Sequence, residues 1–552
     1  MLRGNADVTA RHVAADHAVD EKGQPGGDAV PVATAPAPVP APDRGDPPPP
    51  PSTGAVRKRE AAVALRNALK MGSSLLVTWS VALIVKLQVP AHLGPVRQGH
   101  FGFAESFAMM FFAFIGFGVD MYLAKEVAVR PKVASDVVGG LFALRSAASV
   151  VLLAAMAGVL ALTGRPRDVL LASIVFGVSN LLMTNNSTLS VILNTTSRVG
   201  AAAISNITAK ILWGAGVFVG LMFNAPLPVL ALPGLIGEVM RATVMLPATR
   251  REAGLRLRID VHALRNAIVE SVPYFVNSLA LSVLNNLGMS VLGFISRDER
   301  EVGWFAAVQN IAYLCSLLTP LLTWVVMPLL SRAYARSEDE GLAILRRVIE
   351  GLVVIIVPIT VLISAGSDFL VRIAFGWKYA PASLGLSILS LVFVMTYIDM
   401  MLAMALIISG RGWSVTVLSI GAVLLTSALM FIFVPLGRRV FGEGGECAGA
   451  AMSVIASEVF TLGAMLTRFP QFPLDGRDLR VLGKSVALGM AILAMDHGLR
   501  PIGPARLVVD AFVYAGAALA TGVVRVKEVF AAVRLLRPSA AGTGASAVGV
   551  GQ

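Results

Sequence analysis

Charge is what this sequence has least of. Asp, Glu, Lys and Arg make up only 14% of its 552 residues, whereas apolar residues make up 56% and mean hydropathy is +0.74. A water-soluble chain could not hide that much apolar surface in a core, so a soluble globular protein is excluded and a polytopic membrane protein is indicated. Cysteine is nearly absent. Cys315 and Cys447 make neither a CxxC pair nor a zinc spacing, which argues against redox chemistry and structural zinc. The histidines are scattered without an HExxH motif, and only His92 and His100, at the two ends of one short loop, are placed to meet. GHFG at residues 99–102 lacks the preceding strand and third glycine of a dinucleotide fingerprint. No catalytic residue, metal or cofactor is expected. Long loops are also missing: the longest connections, around 249–266 and 331–347, leave no room for an extramembrane domain. That weighs against a membrane glycosyltransferase or polysaccharide polymerase, which would need a sizeable loop carrying catalytic acids or arginines.

What is present is a succession of apolar runs. A bilayer core about 30 Å thick takes roughly 20 apolar residues per helix, and fourteen such runs follow one another. They lie near 72–92, 101–123, 137–163, 169–193, 199–223, 227–248, 267–295, 303–330, 348–371, 381–409, 413–436, 447–467, 480–497 and 507–524. The runs are continuously apolar rather than alternating, so the fold class is all-α. Residues 1–55, rich in proline and alanine ("VATAPAPVPAP"), cannot bury enough surface to fold and read as a disordered tail, as do residues 531–552. No secretory signal is read there.

Lysine and arginine outside the spans concentrate in the stretches 57–70, 125–132, 250–265, 332–347, 468–484 and 525–537. Cytoplasmic loops carry that excess, which places both termini in the cytoplasm of a multi-pass inner-membrane protein. The formal net charge of +12 is therefore mostly a topology signal. Nucleic acid is not a partner, because the basic residues lack an aromatic-interleaved patch.

The chain also repeats itself. "RNALKMGSSLL" at Arg66 is echoed by "RNAIVESVPYF" at Arg265, and "GHFGFAES" at Gly99 by "GWFAAVQN" at Gly303. Each half starts after a basic segment and contains an even number of spans, so the halves are parallel repeats. A transporter built from two such bundles carries its substrate site near mid-membrane, between them. The expected organisation is a six-helix lobe over 56–258, a second over 259–470 and two additional helices over 471–530.

"LGPVRQGHFGFAESFAMMFFAFIGFGVDMYLAKEVA" (93–128) and "FGWKYAPASLGLSILSL" (375–391) resemble the bacterial polysaccharide flippases of the multidrug/oligosaccharidyl-lipid/polysaccharide exporter superfamily. The resemblance covers roughly residues 60–530. It implies two six-helix lobes, two extra helices and export of a polyprenyl-diphosphate-linked oligosaccharide to the periplasmic face. Membrane lipids are implied as surroundings, with room for a polysaccharide polymerase or glycosyltransferase as partner. A lipid II flippase and a multidrug cation antiporter share that architecture and stand as alternatives.

Charge inside a span is costly and usually marks a pathway or a partner. Lys86 and Lys210 are the cations suited to a diphosphate. Thr78, Asn277 and Asn285 are the neutral groups suited to a sugar head, and Asp399, Glu105 and Asp120 are candidates for ion coupling or charge pairing. Aligning the repeats places Thr78 against Asn277 and Lys86 against Asn285, on one face of equivalent helices. Arg145, Glu238 and Arg241 read as structural pairs. The orientation has a direct test: a cysteine placed within 297–301 is expected to react with an impermeant thiol reagent from outside the cell, and one within 336–340 to be protected. The opposite pattern would invert the topology.

Overall fold

The computed structural model describes residues 53–196, 199–315 and 319–522, and every regular element among them is a helix. Apart from its last residues, the 1–55 tail lies outside the described residues, as does the 531–552 tail. Contacts divide the chain at Glu60. In the first unit the described residues 53–60 are helical, and the second unit, Ala61–Gln552, holds all that follows.

The first half of the chain comprises α1 (Thr53–Phe112), α2 (Val119–Val129), α3 (Val133–Leu162), α4 (Arg167–Thr195), α5 (Val199–Met222) and α6 (Leu227–Glu252). Then come α7 (Val261–Ile295), α8 (Glu299–Cys315), α9 (Thr319–Tyr334), α10 (Glu338–Ala365), α11 (Ser367–Phe375) and α12 (Ala382–Leu389). The chain continues through α13 (Val392–Ile408), α14 (Gly412–Phe441), α15 (Gly445–Leu466), α16 (Gly476–Leu499) and α17 (Arg506–Ala520).

Eleven helical stretches among the described residues are long and apolar enough to cross a bilayer. Two of them, Gly72–Gly116 with 45 residues and Leu479–Ala520 with 42, are twice the length of one crossing. Each is broken at a glycine in the left-handed region, Gly94 (φ 73°) and Gly503 (φ 70°), a conformation a side chain would resist. At the first break Pro95 opens the second arm, where its missing N–H costs nothing. There the chain folds back, because Lys86 and Val89 of one arm line the same cavity as Gln98 and Glu105 of the other. The expected span at 303–330 is delivered in two pieces, α8 and α9, and that at 381–409 as α12 and α13. The result is an all-α polytopic membrane fold of roughly fourteen spanning helices.

Packing follows the two halves of the sequence. Helices α4 and α5 lie on α6, and α3 on α4; in the second half α14 packs on α15, and α12 on both α15 and α8. Helix α7 belongs to both. Ala267 joins the apolar core made by α2, α3 and α4, and Gly118 lies against the α7 backbone at Ser271 and Phe275. Farther along, Met289 and Leu292 join the core shared with α8, α12, α14 and α15. The boundary expected at 258/259 thus falls just before a helix that bridges it. The last two helices are fastened by Arg506, which reaches Asp496 (2.7 Å), Asp368 (2.6 Å) and the Ala365 carbonyl.

The repeated words meet at one end of the bundle. A Cβ on Gly99 would stand 2.6 Å from the Glu299 carbonyl and 2.9 Å from the Gly303 nitrogen, and one on Gly303 would collide with the Pro95 carbonyl. One turn on, Gly102 faces Ala306. This seam is reinforced by Arg165, which donates to the Gly293 carbonyl while its guanidinium sits 4.8 Å from the ring centre of Phe103 and 5.4 Å from that of Phe294. Tyr379 Oη donates to the Pro90 carbonyl (2.8 Å), and His100 pairs with Glu299 at 2.6 Å. His100 therefore meets Glu299 rather than His92, whose Nδ1 lies beside the Gln88 carbonyl of its own helix. Replacing Gly303 by Ala inserts a methyl between two backbones that cannot yield. We expect it to destabilise the protein by about 1–3 kcal/mol, read as a lower thermal midpoint in detergent; an unchanged midpoint would show that the seam is looser than described.

Candidate functional site

Below the seam, between the two halves, lies a cavity of about 300 Å³ lined by Lys86, Glu105, Trp213, Asn285, Gln309 and Asn310, among others. Lys86 is held there by a reciprocal pair of bonds: its Nζ donates to Asn310 Oδ1 (3.2 Å), and Asn310 Nδ2 donates to the Lys86 carbonyl (3.3 Å). A neutral amide satisfies part of the ammonium's hydrogen bonding without cancelling its charge. Lys210 Nζ covers the Trp213 ring 3.8 Å from its centre, and its charged neighbours are Lys86, Glu105 and Glu238. Two cations therefore act on one small cavity. Acids are close enough to moderate them, although Glu238 also bonds Asn186 and pairs with Arg241.

A second cavity, of about 500 Å³, lies within the second half of the chain and shares Asn285 and Gln309 with the first. Its walls are largely apolar and rich in methionine, with Met327, Met400, Met404 and Met465. Asp399 of α13 lines it at 8% exposure, with Glu458 of α15 as its charged neighbour. Among the described residues Glu458 is the one side chain placed to share a proton with Asp399, while Asn277 Oδ1 and Thr426 Oγ1 have no partner. All four residues line this cavity.

Of the residues singled out in the sequence, Lys86, Glu105 and Asn285 come together around the first cavity, and Asn277, Asn285 and Asp399 around the second. Lys210 approaches through Trp213. Thr78 does not join them: its hydroxyl donates to the Leu75 carbonyl of its own helix (3.0 Å). Asp120 is also elsewhere. It takes a 2.5 Å bond from Thr188 and lies 3.4 Å from Arg145, which is fully buried and also donates to the Ile115 and Gly116 carbonyls at the break before α2. That network ties an irregular stretch of backbone to α3 and α4, the structural reading expected of Arg145. Lys86 and Asp399 belong to different cavities, and Lys86 bonds Asn310.

Gln309, Asn310 and Trp213 were missed. The signal for the first two was in the repeat, since aligning "GHFGFAES" with "GWFAAVQN" sets Glu105 against Gln309 and Ser106 against Asn310. All four line the first cavity. No such sign marked Trp213.

Comparison with known proteins agrees with this architecture. Residues 64–334 match the family described as polysaccharide biosynthesis protein. A putative O-antigen transporter of Escherichia coli K12 is 24% identical over 213 residues, 38% of this chain and 49% of that protein. The match thus spans about half the length of that relative. Among solved structures, the inward closed conformation of the lipid II flippase MurJ superposes with a TM-score of 0.63 at 12% identity, covering 83% of this chain and all of that one. An inward-facing multidrug resistance MATE family transporter gives 0.59 at 16% identity, covering 74% and 98%. Fold and cavities define a two-halved, all-α polytopic membrane protein with a polar cavity between the halves. Residues 64–334, just under half of the chain, are similar to the polysaccharide biosynthesis family, in line with the flippase resemblance read from the sequence.

Proposed function

We propose that this protein is a flippase that moves a polyprenyl-diphosphate-linked oligosaccharide across the bacterial inner membrane by alternating access, with both termini in the cytoplasm and the Gly99/Gly303 seam at the periplasmic face. The carrying observation is the pair of lysines, Lys86 and Lys210, acting on a cavity shared by the two halves directly below a closed seam. An ammonium at that depth costs about 2.5–3.5 kcal/mol on insertion scales and needs a role or a partner to offset it. A lipid diphosphate supplies that partner, since it sheds hydration on entering and takes charge-assisted bonds from lysine. A point charge on a flexible stem follows a moving phosphate better than a planar guanidinium fixed by two bonds. Asn285 and Asn310 add hydrogen bonds without adding charge.

The same reading assigns no catalysis, metal or cofactor to the protein. A lipid II precursor or a lipophilic cation could use the same architecture. The family match and the O-antigen transporter relative favour a polysaccharide precursor, delivered by a glycosyltransferase on one side and taken up by a polymerase on the other. Asp120, locked to Arg145, serves the fold, whereas Glu105, Asp399 and Glu458 are the acids that face the cavities.

Replacing Lys86 by Ala, Gln and Arg at matched protein levels tests the phosphate role. Loss of a hydrogen bond to a charged group is worth about 1.5–3 kcal/mol, so export of surface polysaccharide is expected to fall about tenfold or more with Ala or Gln. Arg should largely restore it. Full export with Gln would eliminate the role.

A further inference from the structure

The second cavity constrains the cargo beyond its diphosphate. Several of its polar groups are left for a ligand to satisfy: Asn277 Oδ1 and the Thr426 hydroxyl have no partner among the described residues, and Asp399 has only the neighbouring acid Glu458 to share a proton with. These groups come from α7, α13 and α14, so no single helix explains them, and all face one space of about 500 Å³. A buried acceptor left unmatched costs free energy, and a structure that keeps several of them together is complete only with a ligand that brings donors. Glu458 beside Asp399 sharpens the requirement, because two carboxyls at close quarters need a proton or a donor between them.

The neighbouring cavity holds Lys86, with Lys210 against its Trp213 wall, and the two cavities are joined through Asn285 and Gln309. A ligand that places its diphosphate at Lys86 therefore extends its next groups along Asn285 toward Asp399. Resting on the flippase reading, we propose that Asp399 and Glu458 form a selectivity wall for the sugars next to the diphosphate, admitting hydroxyl-, acetamido- or amino-bearing sugars and rejecting acidic ones. A uronic acid would bring a further carboxylate into a largely apolar cavity that already holds an acid pair. The lysines cannot neutralise it, because the diphosphate occupies them. Sugar hydroxyls and amide N–H groups supply what the wall lacks, and a free ammonium would supply it with charge as well.

The test is binding to the purified full-length protein in lipid nanodiscs, using three synthetic probes with one short polyprenyl chain: the diphosphate alone, the diphosphate bearing N-acetylglucosamine, and the diphosphate bearing glucuronic acid. The N-acetylglucosamine probe is expected to bind at least about tenfold more tightly than the glucuronic acid probe, the scale of a desolvated like-charge contact. Asp399→Asn and Glu458→Gln should each narrow that gap severalfold, by strengthening the acidic probe. If those variants fail to fold, Asn277→Ala and Thr426→Val should lower the affinity ratio of the N-acetylglucosamine probe to the bare diphosphate. Equal binding of the two sugar probes to the unaltered protein would overturn the inference while leaving the flippase reading in place. A gap that Asp399→Asn leaves intact, with sodium dependence of binding lost instead, would also overturn it and would make the acid pair an ion site. Absence of binding by all three probes, unaffected by Lys86→Gln, would overturn the flippase reading and this inference with it.

Discussion

Two backbones approach each other at Gly99 and Gly303 more closely than any side chain would permit, and much of the site hangs from that contact. With no Cβ on either residue, the second arm of α1 and the start of α8 can cross with carbonyl and amide groups nearly in touch. Where helices pack in lipid, such small-residue approaches supply the van der Waals contact that the hydrophobic effect cannot. The crossing fixes the depth of everything below it. Two turns below Gly303 is Asn310, which receives the Lys86 ammonium, and Glu105 and Gln309 stand at matching heights from the two halves. The cavity lies beside this crossing, lined by both arms of α1 and by α4, α5, α7 and α8.

The seam is strong in number of contacts and weak in kind. Arg165 reaches it from the loop between α3 and α4 with one backbone bond and two ring faces, one ring from each half of the chain. His100–Glu299 and Tyr379–Pro90 add one bond each. None of these is a deeply buried ion pair, and all could be exchanged for water if the halves part. Arg145 is held differently. Its guanidinium is fully buried, holds an irregular turn through two carbonyls and neutralises Asp120, so separating it from its partners would leave an uncompensated charge inside the protein. Bonds of the first kind suit a surface that opens, and bonds of the second kind suit a bundle that moves as a body. Helix α7 takes part in both, packed at its start on α2 and α3 and at its end on α14.

Much of this was legible in the sequence, for identifiable reasons. Apolar runs of bilayer length report themselves because lipid leaves helix as the only open form, and breaks at Gly94–Pro95 and near Gly503 follow from residue chemistry. The repeat showed that Gly99 and Gly303 are equivalent, yet not that they touch, since equivalence by duplication says nothing of distance. Lys86 stood out because a lone cation in an apolar run is expensive. Its partner did not, because Asn310 is an ordinary amide in a helix. Thr78 misled for a related reason: a threonine hydroxyl in a helix can bond a preceding carbonyl and drop out of the cavity chemistry. Asp399 was visible as a charge, but which cavity it lines, and that Glu458 stands beside it there, depends on helices from different parts of the chain.

On the proposed alternating-access reading, cargo leaves only if the seam that closes one side of the cavity opens. Gly102 and Ala306, equivalent positions of the two repeats, face each other across it, and a Cβ placed on Gly102 would stand 2.9 Å from that of Ala306. The most direct measurement is export of surface polysaccharide by the Gly102→Cys/Ala306→Cys protein, with the cross-link scored on the same membranes. A seam that must open predicts that oxidation forms the disulfide and stops export, and that reduction restores it, while export by each single cysteine protein is the same under both conditions. Undiminished export from fully cross-linked protein would contradict it.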